Sequence, residues 1–229
     1  MSFPLPGEHT ISIIINGIPV QRLICTDELL PELIYGYLYN EGYIDSLTDI
    51  KDVIITSDHS CAEILLEKFS APAGIPVRLS GFAGASRGNR VLQEKSAAEV
   101  QYDMDYILSC VEKLEEQAKR YAPIRGIHCS ALFNPEEMLI FCGDIGRHNT
   151  IDKVAGGCLL NSISTEDTLL VTTGRISEDM VKKAANLKVS LIASYTTATR
   201  EALIAAENYG IRLIGYVCSK NFQLYCGDE

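Results

Sequence analysis

Basic residues are in short supply in this 229-residue chain: 20 Lys and Arg stand against 30 Asp and Glu, for a formal charge of −10. A protein that tracks nucleic-acid phosphates needs a basic footprint, so nucleic acid is not an expected partner. Tryptophan is absent. No apolar run approaches the roughly 20 residues of a membrane-crossing helix, and Met1 to Gly7 lack the charged and apolar regions of a signal peptide. These absences point away from membranes and toward the cytoplasm, where the eight cysteines are expected as reduced thiols. Among Cys25, Cys61, Cys110, Cys129, Cys142, Cys158, Cys218 and Cys226 no two form a Cys-x-x-Cys pair. Zinc-ribbon and thioredoxin-like chemistry lose their usual support. Also missing are Gly-x-Gly-x-x-Gly after a strand, Gly-Lys-Ser/Thr and Gly-x-Ser-x-Gly, the signatures of dinucleotide binding, phosphate loops and serine hydrolases.

What is present is a clear order of elements. Ile11 to Cys25 holds two apolar runs around Asn16-Gly17, a strong hairpin signal. Thr26 then reads as a helix N-cap, with Asp27 and Glu28 in the first turn and Leu29, Leu33, Tyr37 and Leu38 at helical spacing until Gly42. Ile50 to Thr56 reads as a strand. From Ser70 to Arg90 the composition shifts to Gly, Pro, Ala and Ser, which marks a lobe boundary or a mobile loop. The expected division is an N-terminal α+β lobe over 1–100, mobile loop 70–90 included, and a C-terminal lobe over 101–229. Met104 to Tyr121 repeats apolar residues every three or four positions, as an amphipathic helix does. Strands follow at Gly126–Phe133 and Met138–Cys142, joined through Asn134-Pro-Glu-Glu137. Beyond them helices over Thr150–Leu160, Glu178–Leu187 and Ala198–Asn208 alternate with strands over Thr168–Thr172, Ser190–Ser194 and Arg212–Cys218. That alternation predicts a largely parallel sheet covered on both faces.

Ligands of open α/β sheets sit at the carboxyl ends of the strands. Three helix starts there are rich in polar residues: Gly143 to Lys153, Gly174-Arg175-Ile176-Ser177, and Tyr195 to Arg200. Backbone N–H groups and guanidinium forks converging on one crevice suit an anionic ligand, although Ser177, Thr196 and Thr197 read equally well as simple caps. A zinc nucleobase deaminase needs His-x-Glu and Pro-Cys-x-x-Cys at the first two of these places. Here they read His148-Asn149-Thr150 and Gly174-Arg175-Ile176-Ser177, so no metal is expected. Of the possible Cys/His pairs, His128 and Cys129 point to opposite faces of a strand, and Cys142 with His148 stays open. A nucleotide hydrolase or transferase using His148 is a weaker alternative.

The run Asp144-Ile-Gly-Arg-His-Asn-Thr-Ile-Asp-Lys153 resembles the Asp-Val-Gly-Arg-His-Asn-Ala-x-Asp-Lys signature of the FdhD family, the formate dehydrogenase accessory sulfurtransferases. Supporting matches appear in order. Asn16-Gly17 and Leu29 to Gly42 resemble the family's first strand and its Gly-Phe-Leu-x-x-Glu-Gly helix. Gly126 to Ala131 resembles its Gly-x-His-x-Ala strand. Thr173-Gly174-Arg175 with Met180 to Ala184 resembles its Ser-Gly-Arg segment, and Phe222 to Tyr225 its Phe-x-x-Tyr motif.

The resemblance implies a cytidine-deaminase-like three-layer α/β lobe without zinc, a smaller α+β N-terminal lobe, and a homodimer. It also implies that sulfur passes as a persulfide from a cysteine desulfurase to the molybdenum bis(molybdopterin guanine dinucleotide) of formate dehydrogenase. Arg147, His148, Asn149, Lys153, Gly174 and Arg175 would hold its phosphate or guanine, or a GDP-like nucleotide. Phe222, Gln223, Leu224, Tyr225, Cys226 and Gly227 would contact the cofactor. Two departures stand out. The family carries sulfur on a Cys-x-x-Cys in the loop that appears here as Ser80 to Arg90, and no cysteine lies between Cys61 and Cys110. Ser and Ala cannot take a sulfane sulfur, which needs a thiolate. Gly143 also replaces a residue that is usually Glu. Either Cys226 or Cys142 carries sulfur instead, or the chain is a cofactor- or guanine-nucleotide-binding chaperone or regulator without transfer chemistry.

Overall fold

A computed structural model describes residues 4–70, 102–218 and 221–226. Apart from Ser70, the stretch expected as a mobile loop lies outside them, as do the boundary near residue 100 and Gly227. The opening hairpin is present as β1 (His9–Ile15) and β2 (Ile18–Cys25). Its turn places Asn16 and Gly17 at φ 49° and 79°, the left-handed pair that matches strand twist. After α1 (Leu30–Asn40) come β3 (Ile50–Ile55) and β4 (Cys61–Leu66), giving a four-stranded sheet in the order β2-β1-β4-β3. Strand β4, absent from the sequence reading, pairs in parallel with β1 from Ser12↔Cys61 to Ile15↔Ile64. Ile11, Ile13 and Ile15 point to one face by strand alternation and bury against Leu33, Ile34 and Leu38 of α1. Thr26 is not the cap of α1. Leu29 holds that position with φ 55°, and Thr26 turns toward the second lobe.

The second lobe runs α2 (Met104–Ala118), β5 (His128–Phe133), β6 (Met138–Asp144), α3 (Arg147–Leu160), β7 (Leu169–Thr172) and α4 (Glu178–Asn186). It continues with β8 (Leu191–Ser194), α5 (Arg200–Tyr209), β9 (Arg212–Cys218) and β10 (Asn221–Cys226). The six strands lie in the order β10-β9-β8-β7-β5-β6. Alternate residues sort to opposite faces. Leu132, Leu170, Ile192 and Leu213 bury under α3, α4 and α5, while Ala131, Phe133, Val171, Ala193 and Ile214 bury under α2. This is the three-layer α/β lobe that was expected. The expectation of a largely parallel sheet needs correction: β7–β8 and β8–β9 are parallel, but β5–β6, β5–β7 and β9–β10 are antiparallel. Only four residues separate β5 from β6 and two separate β9 from β10, and so short a connection permits only an antiparallel pair.

Helix α1 of the first lobe lies directly on α3 of the second. A Cβ on Gly36 would overlap the carbonyl oxygen of Asp152, and one on Gly156 would overlap that of Glu32. The two backbones therefore touch, and only glycine fits at the crossing. No helix among the described residues is long and apolar enough to cross a membrane.

Candidate functional site

The signature segment spans the end of β6 and the first half of α3, and it divides into an inward and an outward set. Asp144 faces inward with no exposed side-chain surface and forms an ion pair with the equally buried Lys153 at 2.6 Å. Its Oδ2 accepts hydrogen bonds from the Thr26 N–H at 3.0 Å and the Thr26 hydroxyl at 3.1 Å. Its Oδ1 accepts from Gly146 N–H and Asn149 Nδ2, both at 2.8 Å. Asn149 Nδ2 also donates to the Ile24 carbonyl, and Lys153 Nζ donates to Thr26 Oγ1. Asn149 and Lys153, expected to hold ligand, are thus committed to Asp144. They brace the two lobes, since Ile24 and Thr26 belong to the first lobe.

A second buried cluster sits one turn further on. Lys183 Nζ donates to both oxygens of Asp152, at 3.0 and 2.8 Å, and Asn40 Nδ2 donates to Asp152 Oδ1 at 2.8 Å. Burial works against the Lys183 charge, but Asp152, Asp179 and Glu41 outweigh it and hold its pKa above the ordinary lysine range.

The outward set forms the crevice. Helix α3 begins at Arg147, three residues before the expected Thr150, so Arg147 and His148 project from its first turn. Gly174, after β7, lies so close that a Cβ there would sit 2.9 Å from Arg147 Cβ and 3.5 Å from His128 Nδ1. Arg147, His128, Gly174 and Arg175 are therefore neighbours. Burial and the adjacent Arg175 lower the Arg147 pKa, and the buried Arg147 Nε has no hydrogen-bond partner. His148 Nε2 meets the Ser177 hydroxyl at 3.1 Å and stands 3.9 Å from Asp179. Ser177 occupies the N-cap position of α4 as expected, yet its hydroxyl serves His148 and does not cap the helix. Thr199, not Thr196 or Thr197, caps α5, accepting from Ala202 N–H at 3.1 Å. His128 and Asp179 also belong to the site, which their places in the sequence do not announce. His128 starts a strand antiparallel to β7, so only the sheet directions bring it to the carboxyl end.

Burial, followed by Lys183, Arg147 and His128, pushes the His148 pKa down to about 4, against the pull of Asp179. The unfolded chain takes up that proton near pH 6.5 and the folded chain does not. Stability from this group is complete above pH 6.5, falls as pH drops from there to about 4, and levels off below, for a total loss of about 3 kcal/mol. Urea unfolding at pH 7 and pH 4.5 checks this: His148→Gln should lose clearly less stability over that interval than the parent.

Burial bears on both cysteines considered as sulfur carriers. Cys142 is 1% exposed, and burial pushes its thiol up to about 12. Cys226 is raised as well by burial, and its Sγ donates to the Ile211 carbonyl at 3.2 Å. Since Ile211 precedes β9, Cys226 lies at the sheet end opposite Arg147. Cys25 and Cys158 are pushed to about 12 and Cys129 to about 11, with burial the largest cause in each. Cys61 and Cys110 are raised too, again by burial. In β10, Phe222 and Gln223 are exposed, Leu224 packs on the α2 side, and Tyr225 donates to or accepts from Thr197 Oγ1 at 2.8 Å. Gly143 has its own reason: the Tyr121 ring lies on it, 2.5 Å from where a Cβ would stand, and the Tyr121 hydroxyl donates to Glu28 at 2.8 Å. A larger residue at 143 would displace that ring.

Residues 6–229 match the family described as FdhD/NarQ. A sulfur carrier protein FdhD from Geobacillus kaustophilus is 30% identical over 230 residues, covering 95% of this chain and 86% of that protein. One from Bacillus subtilis is 30% identical over 233 residues, covering 97% and 88%. A crystal structure from Desulfotalea psychrophila, described as a formate dehydrogenase accessory protein, superposes with TM-score 0.81 at 23% identity. It covers 100% of this chain and 91% of that one, and at such identity the likeness speaks for the fold.

Proposed function

The chain belongs to the FdhD/NarQ family, and from that premise we propose that it is a cytoplasmic formate dehydrogenase accessory protein whose crevice holds the guanine-nucleotide end of a molybdenum cofactor. The client ligand is molybdenum bis(molybdopterin guanine dinucleotide), with formate dehydrogenase as its destination, and the protein works as a homodimer. Arg147 carries this reading. A buried guanidinium nitrogen without a partner is costly, and a second guanidinium beside it adds repulsion. A phosphate between Arg147 and Arg175 answers both, through charge-assisted hydrogen bonds. The start of α4 already has Glu178 and Asp179 in its first turn, which leaves the anion to the arginines. Neutral His148 and the Ser177 hydroxyl supply hydrogen bonds beside it without adding charge.

Titration calorimetry with GDP tests the crevice. The parent should bind, and Arg147→Ala and Arg175→Ala should each weaken binding by about tenfold or more. Equal affinity in all three proteins, or none in the parent, would refute the assignment.

Sulfur delivery has a narrower basis. A persulfide forms when a thiolate attacks the outer sulfur of the desulfurase persulfide and the desulfurase thiolate departs. Burial raises the pKa of every thiol described above and so disfavours its thiolate, which supports the second reading: a cofactor-binding chaperone that steadies the ligand while a cysteine desulfurase and another carrier supply sulfur. Incubation with a desulfurase and cysteine, followed by mass spectrometry, should find no persulfide on Cys142 or Cys226. A stable persulfide on either would restore the carrier reading.

A further inference from the structure

Asn16-Gly17 is the one Asn-Gly step in the chain. Asparagine is chemically labile, most of all before glycine, which has no side chain to keep its backbone nitrogen away from the neighbouring amide carbon. Both residues of this turn are exposed, and a Cβ on Gly17 would meet nothing within 4 Å. Sterically, the turn is open to the reaction.

What restrains the Asn16 side chain is β4. The Asn16 N–H donates to the Ile64 carbonyl at 2.9 Å, one rung beyond the last paired residues of the parallel ladder, Ile15↔Ile64. In a continuing ladder the Leu66 N–H would then donate to the main-chain carbonyl of Asn16. Here β1 turns away, and the Leu66 N–H donates to Asn16 Oδ1 at 2.8 Å while Asn16 Nδ2 donates to the Leu66 carbonyl at 3.2 Å. The side-chain amide stands in for a peptide group and closes the ladder. Turning its Cγ toward the Gly17 nitrogen breaks both bonds.

We propose that Asn16 is a deamidation site guarded by β4, converting to aspartate or isoaspartate only while β4 is parted from β1. The Gly17 nitrogen gives its proton to water and attacks Asn16 Cγ; the bond from Cγ to the side-chain nitrogen breaks, ammonia leaves, and a cyclic imide remains. Water then adds to either imide carbonyl and opens the ring, so no oxidant or reductant enters. Neither product restores the guard. Aspartate is acceptor-only, which sets an oxygen against the Leu66 carbonyl where a donor stood. Isoaspartate routes the main chain through an extra carbon inside a two-residue turn. An opening of β4 long enough for the ring to close is therefore written into the covalent structure, and the first lobe holds together less well afterwards.

Mass spectrometry of the full chain kept in mildly alkaline buffer, folded and in urea, beside a synthetic peptide spanning Ile13 to Gln21, gives the rates. The unfolded chain and the peptide should lose the Asn16 amide at like rates. The folded chain should lose it at least about tenfold more slowly, the protection that two net hydrogen bonds provide. Ile64→Val, which removes one carbon from a buried β4 side chain, should speed the loss in the folded chain by about two- to tenfold and leave the unfolded rate alone. Asn16→Asp should unfold at a lower urea concentration than the parent. A folded chain that deamidates as fast as the peptide, or an Ile64→Val protein no faster than the parent, overturns the guard. An unfolded chain that keeps its Asn16 amide overturns the site itself, and an Asn16→Asp protein as stable as the parent overturns the lasting loss of closure.

Discussion

Lys153→Met is expected to lower the unfolding free energy by about 3–5 kcal/mol, because it leaves Asp144 ionised and fully buried without its cation. Water cannot reach the carboxylate, whose side chain has no exposed surface. The remaining donors, Thr26, Gly146 and Asn149, are neutral and already spoken for. Methionine keeps the length and apolar stem of lysine, so lost packing does not confuse the result. Urea midpoints give the number, and Thr26→Ala provides the scale. Losing that hydroxyl should cost about 1 kcal/mol, as the Thr26 N–H still reaches Asp144. A Lys153→Met protein as stable as the parent would mean that Asp144 tolerates isolation, and the inward set would need another explanation.

Gly156→Ala should be nearly as damaging. In an ordinary helix interior, alanine gains about 1 kcal/mol over glycine. Here the new methyl must overlap the Glu32 carbonyl, and a backbone group cannot rotate away as a side-chain tip can. Overpacking commonly costs about 1–3 kcal/mol and more when backbones must part, so a net loss of about 2–3 kcal/mol is expected. Separation of α1 from α3 would also stretch the Asn40–Asp152 hydrogen bond, and Gly36→Ala should behave alike. Gly7→Ala, where a Cβ meets nothing within 4 Å, is the control and should be neutral. Limited proteolysis alongside urea unfolding distinguishes parted helices from a general softening.

Much of the fold was legible because it depends on neighbours in sequence. Asn16-Gly17 encodes its own turn, and the apolar spacing of Met104 to Tyr121 encodes its own helix. The misses depend on distant partners. Strand β4 sits inside its sheet, antiparallel to β3 on one side and parallel to β1 on the other, and no local pattern announces the second pairing. The first turn of α3 carries Arg147, His148 and Asn149 with no apolar residue, so apolar periodicity starts the helix at Thr150. The site was half legible for the same reason. Polar residues at a strand end look alike whether they face a ligand or another lobe, and the partners that turn Lys153 and Asn149 inward, Thr26 and Ile24, lie over a hundred residues earlier. Thr26 looked like a cap because its hydroxyl has the right chemistry; the Asp144 carboxylate claims it instead.

The two glycines at the crossing of α1 and α3, together with Asp144 and Thr26, also set an order for synthesis. Helix α1 is synthesised by residue 40, but the surface of α3 against which it closes is not made until residue 156 has followed. At about 5–20 residues per second, the first lobe can close its own core on β1 and β4 early, while the face of α1 with Glu32, Gly36 and Asn40 waits on the order of ten seconds for α3.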